Sequence, residues 1–480
     1  MDMGELLPLP GRDAERTWVR RVEGLNRLHE DFRVNEIGPI ASDLIGAALV
    51  LGHGDSVRDI AERVLGGQIP ATAASRSVAQ RILEGNDVAP AQLPAQKIVD
   101  MDGDKRRGEL RRLLRESPYN ALRWTDLARL QTVLGKDRRA KRAMLAAQGL
   151  APENRHVLRS AARLAIHHHR PDEARALLLR AQRTRHDPWL LACEISAADM
   201  AGVRSGLLRV ARQLLADERF SPHELSELAS AVATVELGAG DLRASRQLFR
   251  QALVAPSDNS VAQATWASPT LGLSYDEQAL AAPASWEARA IAAHRAGDWR
   301  RATEEARRWF ADQPFASRPA ELGSYEASKG GDFEMGRELA ERAIHANPKE
   351  FLLRNNAAFC LLSMNKTTQA RTHLAAINEG KLTANERATL TATWGLYHYR
   401  TGKYERGREH YLQAIRESRD ATSRALVSIV LAREELRASA PGAADTVAIA
   451  EKLGEQEQPE LGVWLKQLKR PWTTPANFPR

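Results

Sequence analysis

GDWRRATEEARRWFADQP, Gly297 to Pro314, decides the fold. It opens on a Gly–Asp turn, reaches the small residue Ala302, places Ala306 and Trp309 four and seven positions later, and ends on a proline. Apolar residues at that spacing share one face of a helix. The proline cannot continue the helix and stops it.

The same text recurs. GDFEMGRELAERAIHANP starts 34 residues later at Gly331, NKTTQARTHLAAI another 34 on at Asn365, and GKYERGREHYLQAI 37 beyond that at Gly402. Upstream stand GDLRASRQLFRQALVAP from Gly240, HRPDEARALLLRA from His169 and GKDRRAKRAMLAAQGLAP from Gly135. A further helix precedes each turn. RWTDLARLQTVLG, Arg123 to Gly135, presents Trp124, Leu127, Ala128 and Leu130, and SWEARAIAAHRAG, Ser285 to Gly297, presents Trp286, Ala290 and Ala293. A small residue midway (Ala128, Ala162, Ala233, Ala290, Ala358 or Gly395) lets the two helices of a pair approach closely. One pair cannot bury its apolar face alone, so neighbouring pairs stack and share a core.

Over roughly residues 121–420 this pattern resembles the tetratricopeptide-repeat (TPR) family, whose period is 34 residues. Matching positions are Trp124, Ala128, Gly135, Ala140, Ala147 and Pro152 in the first clear unit, and Trp286, Ala290, Gly297, Ala302 and Pro314 in a later one. The resemblance implies an all-α fold, a right-handed superhelical array of antiparallel helix pairs (a TPR-like α-solenoid). It also implies an inner groove lined by the first helix of each pair, which in this family commonly holds an extended or helical peptide.

The chain departs from the period in two places. Residues 189–224 keep the length but carry a poor turn, AGVRSG, and 57 residues separate Gly240 from Gly297. The expected organisation is a helical N-terminal cap or small domain at 1–100, a first block at 101–256 and an irregular insertion or hinge, with room for a helix, at 257–282. A second block follows at 283–435, then C-terminal helices and a proline-rich tail at 436–480, in which Trp472 and Phe478 could dock on the array or on a partner. In the cap, RTWVRRVEGLNRLHEDF from Arg16, IASDLIGAALVLG from Ile40, DSVRDIAERVLGG from Asp55 and SRSVAQRILEG from Ser75 read as helices, with Asp55 as an N-cap. DVAPAQLPAQ from Asp87 reads as a linker, and GDKRRGELRRLLRESP from Gly103 as the second helix of an irregular unit.

Aromatics are 5% of the 480 residues, against 43% apolar and 27% charged. Ala- and Leu-rich composition of this kind favours helices over sheets. The N-terminus, MDMGELLPLPGRD, carries acids and prolines where a signal peptide needs cations and an apolar run. The most apolar stretch, Ile37 to Leu51, contains Asp43 and is too short to span a bilayer. These features predict a cytoplasmic protein. Cys193 and Cys360 stand far apart and form neither a disulfide framework nor a metal knuckle. Of 69 basic residues 57 are Arg, a bias that suits a GC-rich bacterial genome as well as any function.

No catalytic, cofactor or metal constellation emerges. His167, His168 and His169 are consecutive and diverge on a helix, so they read as a solvated turn. Asp100, Asp102 and Asp104 hint at a calcium loop, but its sixth position is Lys105 and its twelfth Arg111. A capping turn explains these acids better. GHGD, from Gly52, lacks the preceding strand and the lysine of a phosphate loop and reads as a helix–helix turn.

Charge is the informative feature. The formal net charge is +8, yet residues 101–190 hold 21 Lys/Arg against 10 Asp/Glu, a local excess of +11. In the geometry that the resemblance implies, Arg129, His156, Arg159 and Arg163 line the inner face of this region, and Glu321, Tyr325, Asn355, Phe359 and Tyr399 line that of the second block. Arg suits carboxylates and phosphates alike. The reading is a scaffold or adaptor that binds partner proteins, through an acidic or extended segment, as part of a larger complex. The alternative is nucleic-acid binding through residues 101–190.

Overall fold

The computed structural model describes residues 25–34 without 27, 36–85, 103–116, 118–217, 220–273, 277–456 and 461–468. Every regular element among them is a helix, and none of these helices is long and apolar enough to cross a membrane. The chain divides into two compact units, Met1–Tyr275 and Asp276–Arg480.

Unit 1 begins with a helical cap. Residues 28–34 are helical, followed by α1 (Gly38–Leu51), a 3₁₀ turn at Gly54–Val57, α2 (Arg58–Leu65) and α3 (Ala73–Leu83). Thr72 caps α3 by accepting a hydrogen bond from the Ser75 amide at 3.1 Å. Asp55, expected as an N-cap, lies inside the 3₁₀ turn instead, and α2 starts at Arg58 without a side-chain cap. Leu44, Ile45, Ile60 and Val64 of the cap share one core with Leu122, Leu127 and Met144 of the first pair, so the cap seals the open end of the stack.

After α4 (Gly103–Glu116) come four helix pairs: α5 (Ala121–Val133) with α6 (Asp137–Leu150), α7 (Arg155–His167) with α8 (Pro171–Arg180), α9 (Pro188–Met200) with α10 (Leu208–Leu215), and α11 (Pro222–Gly238) with α12 (Leu242–Ala252). Their first helices are capped at nearly the repeat period by Asn120, Asn154, Asp187 and Ser221, each accepting from an amide two or three residues on. The stretch with the poor turn is therefore a complete pair, closed by Gly202 at φ 69°. The extra residues between Gly240 and Gly297 hold α13 (Asp258–Leu271), capped by Ser257 and packed on α11. It has the place of a first helix, and the next helix along the sequence, the four-residue α14 (Glu277–Leu280), already belongs to unit 2.

Unit 2 stacks five further pairs: α15 (Trp286–Arg295) with α16 (Trp299–Asp312), α17 (Arg318–Gly330) with α18 (Phe333–Ile344), α19 (Phe351–Ser363) with α20 (Thr367–Ala375), α21 (Ala384–Arg400) with α22 (Tyr404–Glu417), and α23 (Ala421–Arg437) with α24 (Ala443–Gln456). A last helix, α25, covers Gly462–Leu468. The turn inside each of the nine pairs contains a left-handed residue: Gly135, His169, Gly202, Gly240, Gly297, Gly331, Asn365, Gly402 or Ser439. Glycine adopts that conformation without strain. In the Gly–Asp turns the aspartate then caps the second helix: Asp241, Asp298 and Asp332 accept from Ala244, Arg301 and Met335.

The small residues act where the sequence placed them. Ala128, Ala162, Ala233, Ala290 and Ala358 are fully buried. A Cβ on Gly395 would stand 2.9 Å from the Tyr411 ring and 3.1 Å from the Gly407 carbonyl, so α21 and α22 could not approach as closely with any other residue.

Candidate partner-binding site

In unit 1 the first helices touch in sequence, α5 on α7, α7 on α9, α9 on α11 and α11 on α13, and bring one row of side chains together. Arg159 is its centre. Its Nη2 donates to both carboxylate oxygens of Glu227, at 3.0 and 2.8 Å, and its guanidinium lies 5.1 Å over the Trp189 ring. Trp189 meets the His223 ring edge-on at 5.6 Å. The lock thus spans α7, α9 and α11.

Glu227 lies deepest in this row, Asp126 and Asp258 are half-buried, and Arg129 and Arg163 reach the surface. Glu227 is buried, and burial followed by the charge of Glu227 raises the Asp258 pKa against the pull of Arg163 and Arg159. Burial likewise raises Asp126, although His156, Arg129, Arg106 and Arg123 pull it down. Arg129 and Arg163 are exposed, while His156 and Arg159 are half-buried. Arg129 and His156 thus act on Asp126, and Arg159 and Arg163 on Asp258. Cys193 joins the row, its thiol raised by burial.

At the cap end of unit 1, a cleft of ≈ 130 Å³ is lined by Asp31, Arg155, Arg183, His186, Asp187 and Phe220, among others. Arg155 and Arg183 donate to Asp187 Oδ2 at 2.7 and 3.1 Å, while Oδ1 accepts from the Trp189 and Leu190 amides. Burial alone would raise this carboxyl, but the two guanidinium groups hold it well below the usual carboxylate range.

In unit 2 the expected residues separate. Glu321 is half-buried with its pKa raised by burial, and Tyr325 is half-buried with its ring 6.2 Å from His294. Asn355 and Tyr399, expected on the groove surface, lie inside. Asn355 is buried and accepts from Thr393 Oγ1 at 2.8 Å, tying α19 to α21. Tyr399 is buried between Tyr404 and Tyr411. The helix rotation that seats Ala358 against the neighbouring helix carries Asn355 inward. Asn356, one position on, is half-buried and donates to Ser324 Oγ and the Glu321 carbonyl.

Phe359 is half-buried and covered. The ring of Trp464, from α25, meets it edge-on at 6.1 Å, and the Arg433 guanidinium lies 5.7 and 5.8 Å from the two rings. Helix α25 contacts the first helices α17 and α23 and the second helix α24. Sequence reasoning missed Trp189, Glu227, Arg433 and Trp464. The last had a legible signal, since Leu461, Trp464, Leu465 and Leu468 follow helical spacing.

The histidine run has no ligand geometry: His169 takes the left-handed turn at φ 56°, and the His167 and His168 rings pack edge-on. Among the described residues no group of His, Cys, Asp or Glu could hold a metal ion. Asp100 and Asp102, residues 87–96 and the tail with Trp472 and Phe478 lie outside the described residues.

Neither protein-family models nor curated proteins give a match. Among solved structures, the chain is similar to the APC/C hetero-tetramer Cut9–Hcn1 (13% identity over 94% of this chain and 94% of that one, TM-score 0.38). It is also similar to a human IFIT1 dimer with PPP-AAAA (15% identity, 77% and 95%, TM-score 0.37) and to yeast Tom70 (12% identity, 76% and 90%, TM-score 0.29).

Proposed function

We propose that this chain is a cytoplasmic, non-catalytic scaffold or adaptor. Its first-helix faces hold segments of partner proteins within a larger complex. The observation that carries the reading is the lock of Arg159 on Trp189 and Glu227. It fixes the side chains of the unit 1 face before any partner arrives, so little ordering opposes binding. Around it Arg129 and Arg163 are exposed, which suits an acidic, extended segment. The free cysteines Cys193 and Cys360 fit a reducing compartment.

Affinity purification of the full chain at physiological salt, with and without nuclease, tests this. Stoichiometric protein partners that survive nuclease support the scaffold. A catch of nucleic acid, or loss of partners on nuclease treatment, replaces it with binding through residues 101–190.

A further inference from the structure

Helix α25 reports what the groove of unit 2 accepts. Leu461, Trp464, Leu465 and Leu468 fall at i, i+3, i+4 and i+7, the anchor spacing of a helix laid in a groove. All four are buried. They pack against Ala425, Ile429 and Ala432 of α23 and Ala450 of α24, and Trp464 seals Phe359 of α19. A helix of seven residues does not hold its shape alone in water, so the seat orders it.

The fit is incomplete. Arg433 Nη2 and Trp464 Nε1 are buried, with no hydrogen-bond partner among the described residues. Arg433 itself is 3% exposed and lies over both rings. Its neighbour Glu434 is already engaged with Arg400, Arg433 and Arg437. A buried donor left without an acceptor weighs against the state that contains it.

We infer that the inner face of unit 2 is the receptor for an amphipathic helix of a partner protein, one bearing Trp and Leu at these spacings together with a carboxylate, and that α25 is the intrachain competitor such a helix displaces. This rests on the scaffold reading above. A tethered helix competes at an effective concentration on the order of millimolar, so a partner offering only the same apolar contacts would lose. A carboxylate that reaches Arg433 supplies a charge-assisted bond that no described side chain of α25 makes. The groove therefore selects for more than hydrophobicity, and its own occupant sets the threshold.

The test uses the full chain and a fluorescein-labelled peptide with the sequence of residues 459–470, read by anisotropy. A second peptide carries Gln467→Glu, one helical turn from the tryptophan. Wild type should bind both weakly. Trp464→Ala should bind about tenfold tighter, because the seat is open in more molecules, and should prefer the Glu peptide. Adding Phe359→Ala should abolish the gain.

Because Trp464→Ala removes a buried ring, hydrogen exchange on the wild-type chain gives an independent readout. Saturating Glu peptide should speed exchange across residues 461–468 and leave α23 protected. Equal affinity of wild type and Trp464→Ala, or unchanged exchange at 461–468, overturns the inference. If affinity purification still yields protein partners, the scaffold reading survives that failure. If it yields none, both fall.

Discussion

Both carboxylate oxygens of Glu227 on α11 accept from one nitrogen of Arg159, 68 residues earlier on α7, with the Trp189 ring of α9 beneath the guanidinium. Removing one partner of a buried ion pair strands the other charge, at about 3–5 kcal/mol. Glu227→Ala should lower stability in urea unfolding by that order. Arg159→Met, which keeps an apolar stem on Trp189, should lose less. Equal stability of Glu227→Ala and wild type would show that the pair is solvated in solution.

Arg129 and Arg163 are the cations of the same face that stand in solvent. Reversing both to Glu should leave the fold intact and reduce capture of an acidic partner by about tenfold. The remaining affinity should depend less steeply on salt. Quantitative pull-down across a salt series reads both effects.

His169 occupies the left-handed turn position that glycine fills in six of the nine pairs. A side chain in that region costs about 1–2 kcal/mol. His169→Gly should therefore stabilise unit 1 by about 1 kcal/mol, and Gly331→Ala should destabilise unit 2 by a similar amount. Chemical denaturation of the two variants checks the sign at each turn.

His398 is buried beside His410, with ring centroids 5.0 Å apart. Burial first, then the charges of His410, Arg406 and Lys403, lower its pKa from 6.5 to about 4. The folded state thus resists a proton that the unfolded chain accepts. The contribution is fully present above pH 6.5 and is lost as pH falls from there toward 4, at no more than about 1.4 kcal/mol per pH unit. His398→Gln should flatten this slope relative to wild type. His373 and His168, whose pKa values burial also lowers, titrate in both proteins and cancel in the difference.

Cys360 is fully buried beside Ser328, and burial pushes its thiol up to about 12. Thiolate is the nucleophile in alkylation. Iodoacetamide at pH 8 should leave Cys360 unmodified in the native chain and label it fully in urea, as read by mass spectrometry. Rapid native labelling would mean that α17 and α19 separate readily.

The repeat was legible because its signals are local. Gly297, Ala302 and Pro314 each impose a backbone or packing requirement on their own residues, and recurrence at 34 multiplies a weak signal. The caps at Asn120, Asn154 and Asp187 obey the same period, yet single polar residues before a helix are common enough to pass unnoticed. The sites were legible only in part. Arg129, His156, Arg159 and Arg163 fall on one face because helical phase can be counted from Ala162. In unit 2 the same counting misplaced Asn355 by about one residue's rotation, near 100° on a helix, and moved it from surface to core. The pairing of Arg159 with Glu227 depends on how α7, α9 and α11 stack, which no local pattern encodes. The seat of α25 depends likewise on tertiary folding of a short helix onto distant first helices.

The left-handed residues at 297, 331 and 365 have a consequence for how such a chain can change in length. Excising residues 331–364 would join Gly330 to Asn365, a residue that already makes the same turn. Two helices, α18 and α19, would go, α17 would be joined to α20, and the new turn would keep the handedness of the old one. Reach is thus a quantity such a chain can vary in steps of two helices, by duplication or loss, with no turn to redesign.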